Sequence, residues 1–583
     1  MDYLTENLGR LWSSLIIDEL VKCGVHHFYI SPGLRNAPLI AAVSKHSGAS
    51  LHLGFDERSQ SYRALGCCKA INGPSVLICT SGSALANFMP AIIEAKKGKN
   101  ALFIITADRP PEMTSSDANQ TIYQDDFYSR HVSGYLNLGV PTIEISADAV
   151  KSSIANLIFK ARFPTQGPVH LNCPFREPLD GTIEKLPDEY VERCRKLFNS
   201  VQKTQYYSGN NNPHLEEIEV VKDLLNSDKS GIIVVGSLPS NGDRLFLRKL
   251  LHKTSAAKYI DVGSSLKYEY NLQDNIIPSF DHEEVKSYLE QHPPDFVIQF
   301  GGRLVSNHYY KFLDHQDNLT LVTINESIEK EDPSHQTGIR IVCSPDSFAE
   351  GLLIHIEENR SPSNSKNWDQ FVSTKRSIIN ESPLTYPSIS KTTVENLPDK
   401  TVLYLGNSTV IRSFDSYISK NLSTEIKVVT HRGASGIEGF LSSSIGYRDA
   451  HPDELLVLVL GDMSFLHDLN ALAVLDNPHY MTKQSTKPFI IILVNNGGGG
   501  IFSLLPIAKD ETIINSLYTP HGNQDFEKII ASFNIVHKKV TTNIDFEREF
   551  KECTNLKGTV VIEAIVNNEE NTKIYNLLRT IKL

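Results

Sequence analysis

What this 583-residue sequence lacks narrows it first. Its eight cysteines include no CxxC pair. With Cys67 and Cys68 adjacent in an expected helix, the set suits reduced thiols in a cytosol or organelle interior rather than a disulfide framework. No apolar run approaches the roughly 18 residues of a membrane span. The start, MDYLTENLGRLWSSLIIDEL, is acidic and amphipathic and has neither a basic region nor a small-residue cleavage site. No secretory signal is therefore expected, and the chain is expected in the cytoplasm. Positive charge is not in excess either: 57 Lys and Arg against 68 Asp and Glu leave a net charge of −11. That argues against general attraction to nucleic acid or a membrane surface, so an anionic ligand must be held by local arginines. There is no GxxxxGK[ST] loop, HEEVK at 282–286 lacks the second His of a zinc motif, and GGR and VGSL are too ordinary to mark a flavin site. No short-period repeat marks a solenoid.

What is present is alternation. A hydrophobic fraction of 40% supports large cores, and the length suits roughly three or four domains of about 150 to 200 residues. Strand-like runs at 25–30, 51–55, 75–80 and 101–107 alternate with helical stretches in the first third. Runs at 231–237, 296–302, 319–325 and 339–343 do so in the middle, and runs at 402–407, 427–431, 455–460, 489–494 and 559–566 in the last third. The expected fold class is α/β, with three consecutive domains of mainly parallel sheet flanked by helices. The charged stretch 181–215, ending in SGNNNPH, reads as a linker, and ENRSPSNSKN reads as a second break.

The most informative stretch is LLVLVLGDMSFLHDLNALAVL followed, after the insert DNPHYMTKQSTKP (476–488), by FIIILVNNGGGGIFSLLP. Its two apolar runs have the length and composition of strands buried on both faces, and ligands in open α/β sheets bind at the carboxyl ends of strands. Those ends deliver Gly461, Asp462 and Ser464 on one side, and Asn495, Asn496 and four glycines on the other. Asp462, Asn496 and the carbonyl of Gly498 form a hard oxygen set suited to magnesium carrying a diphosphate. The glycines allow close backbone approach to phosphate. Ordinary strand-terminal turns would use similar residues, so the stretch alone leaves that alternative open.

The blocks ISPGLRNAPL, FDER, TSGSALANFMPAIIEA, TADRPPE, ANQTI, GNSTVIR, HRGASGIEG, GDMSFLHDLNAL and NNGGGGIFSLLP occur in this order between residues 30 and 506. Together they resemble the thiamine-diphosphate carboligases, and in particular the branch that serves menaquinone and phylloquinone biosynthesis. The resemblance implies a pyrimidine-binding domain over 1–185, a middle domain over 186–358 and a diphosphate-binding domain over 368–583. It implies a transferase using thiamine diphosphate and Mg2+, with Mn2+ as the alternative ion. Such an enzyme decarboxylates 2-oxoglutarate and adds the resulting carbanion, in a 1,4-addition, to isochorismate. It also implies a homodimer at least, commonly a tetramer, in which Glu57 of one subunit serves the cofactor bound by the other.

By the same resemblance Glu57 contacts the aminopyrimidine ring, although alone it reads as a helix-start carboxylate favoured by the helix dipole. Arg35, Arg109, Arg412 and Arg432 are the candidate forks for two dicarboxylic substrates, since a guanidinium suits planar bidentate recognition. Asn119 and Gln120 would position a substrate, while Ser408, Ser435 and Gly436 would line the pocket. Ile437 would be the apolar wedge that bends the cofactor, and Gly461, Asp462, Ser464, Asn496 and Gly498 would hold its diphosphate and metal.

The sequence departs from that pattern at Leu34, where Ser is frequent, at Asn307 and His308, where some relatives carry basic residues, and at His431 and Glu438. Arg303 is the nearby alternative cation. These departures leave room for a carboligase or decarboxylase of another 2-oxo acid, and a non-catalytic homologue is the remaining alternative.

Overall fold

The computed structural model of the protein describes residues 7–209, 212–239, 242–269, 275–356, 366–417, 425–475, 477, 479–480, 485–517 and 524–582, without the side chains of 515–517. Residues 476, 478 and 481–484 of the insert, 210–211 of the expected linker and 358–365 of the second break lie outside that description. The chain forms two compact units. One comprises Met1–Gly209, His431–Pro452 and Asp468–Ser485, and the other Asn210–Thr430, Asp453–His467 and Thr486–Leu583.

The first unit is built on a six-stranded sheet of β1 (His27–Ile30), β2 (Ser50–Leu53), β3 (Ser75–Cys79), β4 (Leu102–Asp108), β5 (Gly134–Asn137) and β6 (Val169–Pro174). Its order is β2-β1-β3-β4-β6-β5, every pair parallel. Parallel neighbours require crossovers, and the helices between the strands cover both faces, so β3, β4 and β6 are buried along their whole length. The second unit holds two sheets. One contains β7 (Gly231–Val235), β8 (Ala257–Ile260), β9 (Phe296–Phe300), β10 (Thr320–Asn325) and β11 (Thr337–Val342) in the order β11-β10-β9-β7-β8. The other contains β12 (Thr401–Leu405), β13 (Ile426–Thr430), β14 (Leu456–Gly461), β15 (Phe489–Asn495), β16 (Val536–Val540) and β17 (Thr559–Ile565) in the order β13-β12-β14-β15-β17-β16. In β15 the side chains from Phe489 to Val494 are wholly buried, and each such side chain contributes about 1.5–3 kcal/mol of hydrophobic stabilisation.

Inside the first unit, the helix Glu57–Ile71 crosses the helix Phe440–Ala450 at a glycine on each. A Cβ on Gly66 would lie 1.7 Å from the Ser443 carbonyl oxygen, and one on Gly446 would lie 1.7 Å from the Arg63 carbonyl oxygen. Only glycine permits an approach this close. Arg63 and Asp449 form a buried ion pair beside this crossing, with Arg63 Nε 2.7 Å from the carboxylate.

Four strands escape the sequence reading: β5, β6, β8 and β16. The stretch 181–215, read as a linker, also contains a helix, Asp188–Phe198. Cys194, Leu197 and Phe198 from this helix are buried in the core of the first unit. Their spacing of three and one, with Tyr190 four residues before Cys194, is that of a helical stripe obscured by the charges around it. The helix expected from Ser83 begins as a 3-10 segment, Ser83–Phe88, and becomes α-helical at Met89–Lys97.

Candidate active site

The register of the third sheet explains why two distant polar ends meet. Leu456 pairs with Phe489 and the pairing continues to Gly461 with Val494, so Asp462 emerges beside the end of β15. One Asp462 oxygen, Oδ2, accepts the backbone N–H of Asn496 at 3.1 Å and of Gly498 at 2.8 Å, while Oδ1 accepts that of Met463 at 2.7 Å. Asn496 Oδ1 also accepts the Gly498 amide, at 3.2 Å. The chain can turn this tightly because Gly497, Gly498 and Gly499 have φ of +81°, +88° and +64°, values that L side chains resist. Gly461 and Ser464 flank Asp462, and Ser464 is buried in the helix Asp462–His467.

These residues fit a metal-bound diphosphate. The carboxylate, the amide oxygen and the peptide carbonyls are hard donors, and no bulky side chain occupies the glycine turn. No group of three or more His, Cys, Asp or Glu side chains poised for a metal occurs among the described residues. An ion here would therefore rely on the single Asp462 carboxylate together with amide and carbonyl oxygens and the phosphate oxygens of its ligand. Behind the turn, Asn495 Nδ2 donates to Glu563 at 2.7 Å, and Asn495 Oδ1 accepts the Gly497 amide at 3.1 Å. Tyr386 stands close by. Burial, together with the Asp462 charge, raises its phenol well above the ordinary value.

In the same unit, Ser408 precedes the helix Thr409–Ser416 at φ +67° and ψ −132°, and its carbonyl accepts Arg412 Nη1 at 2.8 Å. Gln120 at φ +58° and Ser435 at φ +62° are likewise left-handed without being glycine. Such conformations cost about 1–3 kcal/mol each and concentrate at functional sites.

The first unit gathers a different chemistry at its strand ends. Arg35 is only 4% exposed; its Nη1 donates to the Phe175 carbonyl at 2.9 Å, and its Nη2 is 3.7 Å from Glu177. Burial, and then the charge of Arg109, hold its guanidinium below the ordinary arginine value. Arg109 Nε is buried with no hydrogen-bond partner among the described residues. Next to it, burial raises the Asp108 carboxyl, while Asn172 Nδ2 donates to it at 2.8 Å. Gln120 Nε2 donates to the Ser81 carbonyl at 2.9 Å, and Ser81 Oγ returns a bond to the Gln120 carbonyl at 3.2 Å. Asn119 is exposed beside it.

Glu57 is the first residue of its helix, with Asp56 as N-cap accepting the Ser59 amide at 3.2 Å. That helix start is fixed by further bonds within the unit: Ser59 Oγ to Ser442 Oγ at 2.8 Å, Ser442 Oγ to Asp468 at 2.7 Å, and Asn470 Nδ2 to Asp56 at 2.7 Å. The Cys79 thiol, at the end of β3, is raised well above its ordinary value by burial first and by the nearby Glu57 charge second. Arg432, Ser435, Gly436 and Ile437 share one loop of this unit, and Ile437 is 39% exposed. Of the departing positions, Leu34 is 76% exposed, and His308 Nδ1 lies 2.8 Å from Asp281 Oδ1.

Three family models match the chain in order: the N-terminal TPP binding domain of thiamine pyrophosphate enzymes over residues 12–129, the middle domain over 193–405 and the C-terminal TPP binding domain over 420–564. Along its full length the chain is 36% identical to the 2-succinyl-5-enolpyruvyl-6-hydroxy-3-cyclohexene-1-carboxylate synthase of Syntrophus aciditrophicus strain SB, with 100% of both chains covered. The chain belongs to this synthase family. Relatives of the same name in Chlorobium phaeovibrioides and Chlorobium luteolum are each 30% identical, with 98% of this chain and 97% and 96% of theirs covered.

As a member of the synthase family the chain is a thiamine-diphosphate enzyme and a transferase, and its three α/β domains follow the N-terminal, middle and C-terminal order of those models. The structure adds residues that sequence reasoning passed over. Asp108, Asn172 and Gln124 form one hydrogen-bonded set behind Arg109, with Gln124 Oε1 accepting the Gly82 amide at 3.0 Å and Gln124 Nε2 reaching Asn172 at 3.2 Å. Asp108 and Gln124 lie within or beside the motif blocks, which was the available signal. Asn172 lies in the unrecognised β6.

Proposed function

We propose that the chain is a thiamine-diphosphate- and Mg2+-dependent synthase that condenses 2-oxoglutarate with isochorismate. The reaction releases CO2 and forms 2-succinyl-5-enolpyruvyl-6-hydroxy-3-cyclohexene-1-carboxylate for quinone biosynthesis. The observation that carries this reading from family to substrate class is the pairing of buried Arg35 with half-buried Arg109, whose Nε is buried and left open. Two like charges set beside each other, one of them buried, are costly unless an anion arrives, and both substrates are dicarboxylates.

The bound thiazolium would supply the electron sink that loss of CO2 from a 2-oxo acid requires. The chain's own residues do the rest. Asp462, Asn496 and the Gly498 carbonyl hold the metal, with Gly461 and Ser464 beside the diphosphate. Glu57 holds a proton toward the pyrimidine ring, and Ser408, Ser435, Gly436 and Ile437 shape the cofactor pocket. Arg35, Arg109, Arg412 and Arg432 bind carboxylates, and Asn119 and Gln120 orient the bound substrate. Domains over 1–185, 186–358 and 368–583, a homodimer or tetramer, and a cytoplasmic location complete the proposal. The eight free cysteines suit a reducing compartment, and among the described residues no helix is long and apolar enough to cross a membrane.

The reading is tested by titrating the purified protein with thiamine diphosphate, with and without Mg2+, and measuring CO2 release from 2-oxoglutarate. Release that needs both cofactor and metal is expected. Tight cofactor binding with no release from 2-oxoglutarate, but release from another 2-oxo acid, would overturn the substrate assignment.

A further inference from the structure

Glu94 lies on the helix Met89–Lys97 and is 2% exposed. A carboxylate in such a place must have its oxygens satisfied. Here the partners are three consecutive backbone amides: Gly433 N–H to Oε1 at 2.9 Å, and Ala434 and Ser435 N–H to Oε2 at 2.6 and 3.3 Å. Successive amides converge on one anion because the chain changes hand at Ser435, where φ is +62°. A Cβ on Gly433 would come within 2.6 Å of the Glu94 carbonyl oxygen and 2.7 Å of the Gly98 nitrogen, so the loop is seated directly on the helix end.

The far end of the loop is held as well. Tyr62 O–H donates to Glu438 Oε1 at 3.1 Å, and a Cβ on Gly439 would fall 2.1 Å from the Tyr62 ring. Between these two anchors lie Gly436 and Ile437, with Ser435 closing the first anchor and Arg432 immediately before it. The block carrying Glu94, TSGSALANFMPAIIEA, also supplies Ser81, which exchanges hydrogen bonds with Gln120.

We propose that Glu94 is a positioning residue of this enzyme. Its carboxylate clamps the 433–435 amides and thereby fixes how Arg432, Ser435 and Ile437 are presented, in register with the Gln120 segment. The roles of those presented residues rest on the function proposed above; the clamp itself does not.

The test compares full-length wild type with E94Q, which keeps the shape but turns an N–H2 toward amide donors. Hydrogen exchange at 433–436 is expected to accelerate. The thiamine diphosphate Kd and the isochorismate KM are expected to rise about tenfold, as for other residues acting through a neighbour, with kcat falling less and the melting temperature little changed. Unchanged exchange would overturn the clamp. Faster exchange with unchanged Kd, KM and kcat would reduce Glu94 to a structural role and overturn its positioning. If E94Q does not fold, G433A decides by the same readouts, because it keeps the carboxylate but lifts the loop. If wild type turns over no isochorismate, the function proposal fails, while exchange and cofactor affinity still decide the role of Glu94.

Discussion

The first and third sheets have one topology and different chemistries. Orders β2-β1-β3-β4-β6-β5 and β13-β12-β14-β15-β17-β16 are the same order written twice, and the helices that follow their second strands, Glu57–Ile71 and Phe440–Ala450, are the pair that cross at Gly66 and Gly446. Yet the ends of the first sheet present guanidiniums and amides, with the Arg109 donor open. Those of the third present a carboxylate that collects amides from a glycine turn. A repeated fold thus carries two unlike sites, and function belongs to the residues at the strand ends rather than to the architecture.

The sharpest way to break the contrast is at its acidic pole. Asp462→Ala removes both the proposed metal donor and the acceptor that shapes the turn. It should abolish Mg2+-dependent cofactor binding by calorimetry and cost several kcal/mol of transition-state stabilisation, on the order of a thousandfold in rate. Glu57→Gln should lower kcat by about 10² to 10⁴, the range for a lost proton-transfer group, with cofactor still bound; unchanged turnover would remove Glu57 from the chemistry. At the cationic pole, Arg35→Ala should lower kcat/KM by about 10- to 100-fold, from the roughly 1.5–3 kcal/mol of one charged hydrogen bond, and leave thiamine diphosphate affinity intact. A steady-state comparison with a cofactor titration separates the two poles.

Smaller effects probe the frame. Gly446→Ala should destabilise by about 1–3 kcal/mol through overpacking, read as a lower melting temperature with KM unchanged. Burial depresses His170 from 6.5 to about 3, so the folded protein binds fewer protons than the unfolded chain between those values. Stability from this residue is present above about 6.5 and is lost as pH falls toward 3. A His170→Gln variant should therefore show a shallower acid melting profile; an identical slope would contradict it.

Much of this was legible in the sequence, for physical reasons. Central strands such as β14 and β15 are buried on both faces and read as unbroken apolar runs. Edge strands are not: β16, Val-His-Lys-Lys-Val, and β5, Gly-Tyr-Leu-Asn, bury only part of their side chains and give little signal. Asp462, Asn496 and the glycines could be read because register alone brings them together. Glu94 could not, because its partners lie far along the chain and its bonds go to backbone amides, which leave no trace in residue identity. The topological repeat is equally silent, since the two sheets share strand order without sharing motifs.

The most direct measurement combines purified protein, thiamine diphosphate, Mg2+, 2-oxoglutarate and isochorismate, and follows isochorismate loss with mass detection of the adduct. Formation of 2-succinyl-5-enolpyruvyl-6-hydroxy-3-cyclohexene-1-carboxylate that requires all four additions is expected. Isochorismate left unconsumed, with cofactor bound and the protein folded, would contradict it.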